Sequence, residues 1–185
     1  MKKLNFLVLV VLVSCSNMKS HTNKNLNTFI VDQSKGYDSI EELYRASIEV
    51  IKSKDSVRIN NFIDELMPDR GTIRFMSKRK CEYRGIPNYE IYRPNYLDSL
   101  KAANSKDLFS YSHRLDKRLK LEDLRFEKFE RDIAYETLGY YGCPEVLVCE
   151  PFGVCSSNSV IIRFQLGELL KVNNKWKSFT DFKLR

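Results

Sequence analysis

His113 is the one histidine within the predicted domain, and it lies three residues before the carboxylate of Asp116. On a helix, this spacing places both side chains on the same face. A histidine beside a carboxylate can act as a general base when the site shields it from water and tunes its pKa. Because Arg114 and Lys117 surround the pair, the sequence favours the alternative, an exposed histidine in a local pair.

The domain also contains four cysteines, Cys81, Cys143, Cys149 and Cys155. An even number fits disulfide formation in an exported protein. A hairpin with a three-residue loop would set Cys149 opposite Cys155 at a Cα separation of roughly 4.5–5.5 Å, which is within disulfide range. Cys81 and Cys143 would then pair with each other. The alternative is that the cysteines are buried free thiols.

Four tyrosines recur in a proline-containing segment that has no helical or strand pattern: Tyr83, Tyr89, Tyr92 and Tyr96. Long connections of this kind are usually functional or disordered. Tyrosine buries a large area at low entropic cost, which suits a glycan-binding or protein-binding surface. The alternative is that these side chains fix the loop to the domain.

Motifs for nucleophilic, phosphate-binding or zinc chemistry are absent from the sequence. The last three cysteines are separated by five residues each, whereas structural zinc sites use a spacing of about two to four. The sequence therefore predicts no metal and no cofactor, and it favours binding over catalysis.

The first fourteen residues have the composition of an export signal. Two lysines precede an apolar run from Leu4 to Val13, which is too short to span a hydrocarbon core of ~30 Å. Leu12-Val13-Ser14-Cys15 then resembles the lipobox of bacterial lipoproteins, in which the cysteine is acylated and becomes the mature N-terminus. The resemblance implies that residues 1–14 are removed and that Cys15 carries the lipid anchor. An ordinary secretory signal or an uncleaved membrane helix are the alternatives.

This N-terminus predicts a protein of the cell envelope. Ser16 follows Cys15, and the aspartate that retains many such proteins at the inner membrane is absent, which favours the outer membrane and leaves its side open. Removal of Lys2 and Lys3 lowers the formal charge from +7 to +5. Because export separates this basic chain from nucleic acid, the predicted partners are the membrane, through the anchor, and an envelope protein, glycan or lipid.

Residues 15–35 are predicted to be the lipidated cysteine and a flexible tether, and residues 36–185 a single domain. Apolar spacing predicts two helices between Ile40 and Met67, the first opened by a capping box of Ser39 and Glu42. Further helices are predicted over Thr72 to Cys81 and Asp98 to Leu121.

The last third of the chain has strand patterns. Val160 to Leu166 alternates with a period of two, and Leu169 to Phe179 has the pattern of a hairpin that turns at Asn173-Asn174. We expect these two segments to be adjacent antiparallel strands. Helices followed by strands predict an α+β fold in which N-terminal helices pack on an antiparallel sheet formed mainly by the C-terminal third.

The segment from Leu166 to Lys177, ending in Lys171-Val172-Asn173-Asn174-Lys175-Trp176-Lys177, resembles the closing hairpin of nuclear-transport-factor-two-like domains. The resemblance implies a curved sheet that wraps the helices into a cone with an apolar pocket. Such scaffolds host isomerases, dehydratases, immunity proteins and binding modules. The predicted function is therefore an envelope-anchored, non-catalytic binding or accessory module. The alternative is a small-molecule isomerase or dehydratase that uses His113 and Asp116.

Overall fold

Helices precede strands along the domain, as predicted. The computed structural model describes residues 35–73, 95–138 and 146–184. The longest helices in these ranges are α1 (Ile40–Ser53), α2 (Ser56–Leu66) and α3 (Tyr96–Asp116), and a 3₁₀ turn (Leu121–Asp123) follows them. Within these ranges no helix is both long enough and apolar enough to cross a bilayer.

The helix boundaries follow from local capping. The Ser39 hydroxyl accepts a hydrogen bond from the Glu42 amide at 3.0 Å, which confirms Ser39 as the N-cap of α1. The Glu42 carboxylate accepts from the Asp38 amide at 3.1 Å, one residue before the Ser39 amide that a reciprocal capping box uses. Lys54 ends α1 in the left-handed conformation, and the Asp55 carboxylate then caps α2. α3 confirms the helix that was predicted from Asp98. The helix predicted from Thr72 begins at Arg70, and its residues beyond Ile73 lie outside the described residues.

The described residues after α3 form eight strands: β1 (Arg125–Phe129), β2 (Glu136–Leu138), β3 (Val146–Cys149), β4 (Gly153–Ser157), β5 (Val160–Gln165), β6 (Leu169–Val172), β7 (Lys175–Ser178) and β8 (Lys183–Leu184). They form two four-stranded antiparallel sheets, ordered β1-β4-β5-β8 and β2-β3-β6-β7. The predicted α+β fold is therefore confirmed.

The two sheets are the halves of one folded meander. β1 continues into β2, β3 into β4, β5 into β6 and β7 into β8, and the two members of each pair hold equivalent positions in the two sheets. The chain thus makes four antiparallel passes, and each pass bends at a corner. Hydrogen bonds link neighbouring corners: the Glu130 amide donates to the Phe152 carbonyl at 2.9 Å, and the Phe179 amide donates to the Glu168 carbonyl at 3.0 Å.

The predicted hairpin and disulfide between Cys149 and Cys155 are wrong. β3 and β4 lie in different sheets and belong to the same pass, so the chain bends between them and does not reverse. Cys149 lies opposite Leu169, whereas Cys155 lies opposite Phe126 on one side and Ile162 on the other. Both are buried free thiols, and no two cysteines of the described residues are at disulfide distance.

The pairing predicted for the final strands is partly wrong for the same reason. β6 and β7 form the expected hairpin, and Asn173 and Asn174 adopt left-handed backbone at φ 49° and 64°. β5, however, pairs with β4 and β8. It is joined to β6 through a corner and not through a reversal.

Tyr44 of α1 contacts two of the corners, the one between β3 and β4 and the one between β5 and β6. Its side chain is fully buried. Its hydroxyl donates a hydrogen bond to the Pro151 carbonyl at 2.5 Å and accepts one from the Leu166 amide at 3.4 Å. Its ring packs edge-on against Phe129 at a centroid distance of 5.3 Å. Helix α1 therefore satisfies backbone polar groups that the bends leave unpaired.

Glycines at two of the corners allow the backbone there to pack closely against its neighbours. A methyl group at Gly153 would collide with the Tyr44 ring, which lies directly against the backbone there. Gly167 has a φ of +77°, and a Cβ atom at this position would lie 2.7 Å from the Thr180 carbonyl oxygen. Glycine tolerates both the left-handed conformation and the lack of space at this corner, which joins β5 to β6.

Candidate functional site

A cleft of about 530 Å³ opens at the first two corners. The segment between β1 and β2 forms one wall, and the end of β3 with the following corner forms the other. The lining residues are Glu130 to Ala134, Glu136, Val148 to Phe152, and Glu168. These segments meet because the corner between β1 and β2 lies beside the corner between β3 and β4, and the hydrogen bond from the Glu130 amide to the Phe152 carbonyl joins them.

The cleft concentrates negative charge in a chain whose formal charge is +7. Its five carboxylates are Glu130, Asp132, Glu136, Glu150 and Glu168, whereas Arg131 is the one cation in its lining. Within the described residues, no group of histidine, cysteine, aspartate and glutamate side chains is arranged to hold a metal ion. The excess of carboxylates over cations in the lining favours a positively charged ligand.

Two of the carboxylates are paired with cations outside the lining. The Arg163 Nε atom lies 3.1 Å from Glu130 Oε1, and the Lys183 Nζ atom lies 3.6 Å from Glu150 Oε2. The buried Gln165 amide also donates to Glu150 Oε2, at 3.3 Å. In contrast, Asp132 is exposed and forms no ion pair with a described residue. As far as the described residues show, the Asp132 carboxylate is open to a ligand.

Apolar side chains complete the walls of the cleft. Val148 and Pro151 are buried, whereas Ile133 and Phe152 are half-buried and present carbon surface to the opening. A concave site that combines apolar walls with a few charged groups is the usual form of a small-ligand site. A ligand that suits this cleft carries a positive group beside an apolar body.

Cys149 is the nucleophilic residue type in the lining, but the structure makes it inert. Its side chain is 4% exposed. Burial raises the pKa of its thiol to about 12, and the nearby Glu150 carboxylate acts in the same direction. A thiol is a nucleophile in its ionised form. Cys149 therefore remains protonated near neutral pH and does not supply covalent catalysis.

The Cys155 thiol is also buried and also has a raised pKa. The raised pKa values of the two thiols predict how the free energy of unfolding varies with pH. Burial raises the pKa of Cys155 to about 12 from 9.0, and Glu127 adds to the effect. As pH rises above about 9, the unfolded chain loses thiol protons while the folded chain retains them. The stabilisation is complete below pH 9 and is lost towards pH 12. We expect the free energy of unfolding to fall by up to about 1.4 kcal/mol per pH unit for each thiol.

Urea unfolding followed by circular dichroism between pH 7 and 10.5 measures this slope. Cys155→Ala is the matched variant, because it removes one thiol and should make the alkaline slope shallower whatever its stability at pH 7. Equal slopes for the wild type and the variant would contradict the assignment.

The structure does not bring His113 and Asp116 together as a shielded pair. His113 is exposed on α3, and its ring lies 4.4 Å from the Phe109 ring. The Asp116 carboxylate accepts a hydrogen bond from Lys54 Nζ at 2.8 Å. His113 and Asp116, the predicted catalytic pair, are therefore both exposed to solvent. The Asp116 carboxylate instead joins α3 to Lys54 at the end of α1.

The other predicted site residues fall mostly outside the described residues. Tyr96 is the first residue of α3 and is half-buried against the core, which agrees with a structural role. The residues outside the described ranges are Cys15, Cys81, Tyr83, Tyr89, Tyr92 and Cys143.

The sequence did not predict the cleft. Glu130, Asp132 and Glu136 belong to a charged segment without a clear period, so no local pattern separates them from an ordinary solvated surface. Their proximity to Glu150 depends on how β3 pairs with β2, which is a long-range property. The one local signal was the concentration of carboxylates in a basic chain.

The chain was compared with protein-family models, curated proteins and solved structures, and none of the three comparisons found a match.

Proposed function

We propose that the protein is a lipid-anchored component of the bacterial cell envelope whose domain binds a ligand without transforming it. The bound group is a cation attached to an apolar body, such as an organic amine or a lysine or arginine side chain of a partner. The observation that carries the binding part of the proposal is the cleft at the sheet corners. Five carboxylates, two of them paired with cations outside the lining, lie there with one cation beside apolar side chains.

The nature of the side chains favours binding over catalysis. The thiol in the cleft has a pKa raised to about 12 by burial, and the single histidine of the described residues lies exposed on α3. General acid–base catalysis needs a group of suitable pKa within reach of the substrate. Carboxylates that hold a cation meet the simpler requirement of charge complementarity.

The lipobox resemblance supplies the anchor in this proposal. Several acyl chains on Cys15 hold a protein firmly, since each buried methylene contributes ~0.8 kcal/mol. A tether that ends at residue 35 would let the domain reach partners near the membrane surface. A binding module benefits from being held there.

The cleft predicts that a cation binds more tightly than a neutral compound of the same shape. Benzylammonium and benzyl alcohol form such a pair, and both can be titrated into the ¹⁵N-labelled full chain. We expect benzylammonium to shift the amide resonances of residues 130–136 and 148–152 in a saturable manner. Asp132→Asn with Glu136→Gln should weaken its binding about tenfold, which corresponds to ~1.4 kcal/mol of lost attraction.

A matched double variant controls for the general loss of charge. Asp107→Asn with Glu122→Gln removes two exposed carboxylates outside the cleft, and we expect it to leave the affinity unchanged. Equal binding of benzyl alcohol, or equal loss of affinity in both double variants, would refute the cation-binding proposal.

A further inference from the structure

A second groove, of opposite character, lies between the C-terminal half of α3 and strands β5 and β8. Its volume is about 360 Å³. Its floor is apolar: Tyr111 and Leu115 face it from the helix, and Ile162 and the half-buried Leu184 face it from the sheet. We call this feature the basic groove because of the residues that surround its floor.

Three exposed cations form its rim: Arg114, Lys117 and Arg118. None of the three forms an ion pair with a described residue. The carboxylate at this end of α3, Asp116, is already neutralised by Lys54 at 2.8 Å. Within the part of the chain that the structure describes, the rim therefore carries an excess of positive charge.

One of the cations, Arg114, contacts the floor as well as solvent. The Arg114 guanidinium stands over the Tyr111 ring at 5.7 Å from its centroid. A helix C-terminus attracts cations through its dipole, which accounts for positive residues at this place. It does not account for an apolar floor beneath them. Charge at the rim and carbon surface at the floor together match the two ends of an amphiphilic anion.

The basic groove continues along α3. A neighbouring cavity of about 280 Å³ shares Arg114 and Leu184 with it and is also lined by Phe182, Ser110 and the exposed Asp107. The two cavities therefore adjoin at Arg114 and Leu184. A groove of about 360 Å³ with an apolar floor and a cationic rim has room for one alkyl chain whose charged head group lies at the rim.

We propose that the basic groove binds a single-chain amphiphilic anion, a long-chain carboxylate whose chain lies on the apolar floor and whose carboxylate contacts the rim cations. Arginine donates parallel hydrogen bonds to a carboxylate, so Arg114 and Arg118 are suited to the head group. This inference is independent of the acidic cleft, since the two sites share no lining residue and select opposite charges.

The test uses dodecanoate, with dodecylammonium as the matched cation of the same chain length. Cell-free synthesis provides the full chain without leader removal or acylation, and titration calorimetry below the micellar concentration measures binding. We expect dodecanoate to bind with a stoichiometry of one and dodecylammonium to leave this site empty. Arg114→Gln, Lys117→Gln and Arg118→Gln together should weaken dodecanoate binding at least about tenfold, since charge-assisted hydrogen bonds are lost.

A second triple variant controls for net charge. Arg58→Gln, Lys106→Gln and Lys128→Gln remove three exposed cations away from the basic groove, and we expect dodecanoate affinity to change less than about twofold. Leu184→Ser should also weaken binding, which locates the chain on the floor. Equal losses in the two triple variants, or competition of dodecylammonium with dodecanoate for the same site, would overturn the proposal. Co-sedimentation with phosphatidylglycerol vesicles without stoichiometric dodecanoate binding would also overturn it, and would assign the face to a bilayer surface.

Discussion

Replacing Cys15 by alanine is expected to abolish lipid attachment completely and to stop removal of residues 1–14. The reason is chemical, since acylation of the lipobox cysteine precedes cleavage in the proteins that this segment resembles. Cells labelled with radioactive palmitate should incorporate the label into the wild-type chain and not into Cys15→Ala. The variant should also migrate as the longer precursor. The expected change is all-or-none, because no other residue of the lipobox carries a thiol.

Ser16→Ala is the matched control, because it changes the neighbouring residue and keeps the acylated cysteine. It should be labelled and processed like the wild type. Mass spectrometry that finds an unmodified Cys15 at the mature N-terminus would end the lipoprotein proposal. Such a result would leave the cleft and the basic groove untouched, since both belong to the folded domain.

The second large effect is expected at Tyr44, which supports the bend of two passes. Tyr44→Ala removes a fully buried ring and should destabilise the domain by about 3–5 kcal/mol. Tyr44→Phe retains the ring but leaves the Leu166 amide and the Pro151 carbonyl without their partner. We expect it to cost about 1–3 kcal/mol. Urea unfolding followed by circular dichroism measures both values.

Tyr135→Phe provides the control for the hydroxyl group, because Tyr135 is 54% exposed and its hydroxyl can bond to water. Its free energy of unfolding should stay within about 0.5 kcal/mol of wild type. If Tyr44→Ala does not fold, Tyr44→Phe still gives the result. A stability of Tyr44→Phe equal to that of wild type would show that the corner does not depend on this hydroxyl.

The parts of the fold that were predicted correctly depend on short-range signals. Ser39 and Glu42 are three residues apart, and Asn173-Asn174 determines a turn within a single hairpin. Each of these signals acts between residues that are neighbours in the chain. The order of helices and strands, and hence the fold class, follows from such local patterns.

The errors occurred where the chain bends between sheets. The sequence has an apolar run from Val146 to Cys149, a short break, and a second run from Val154. This pattern is the same for a hairpin and for one strand path that bends from one sheet into the other. Tyr44 contributes to the actual outcome, and it lies 107 residues before Pro151, the residue that it contacts. No pattern around Pro151 contains that information. The predicted disulfide failed with the hairpin from which it was inferred.

The candidate site was missed for a related reason. Asp132 and Glu150 lie on separate passes, and they line one cleft because the corners of the meander are adjacent. For His113 the local prediction was correct, but the environment of its side chain was not determined by local sequence. Its spacing to Asp116 is local and the helix exists, but the contacts of these two side chains with Phe109 and Lys54 are set by tertiary packing.

The most direct test of binding through the cleft is photo-crosslinking in living cells. A photoreactive amino acid replaces Ala134, an exposed residue of the cleft lining, and in a second strain replaces Lys106, an exposed residue on α3. We predict that the Ala134 position forms a defined adduct that the Lys106 position does not form. Asp132→Asn with Glu136→Gln in the same chain should remove that adduct. Identical adduct patterns at both positions, or an adduct that survives the loss of the two carboxylates, would contradict binding through the cleft.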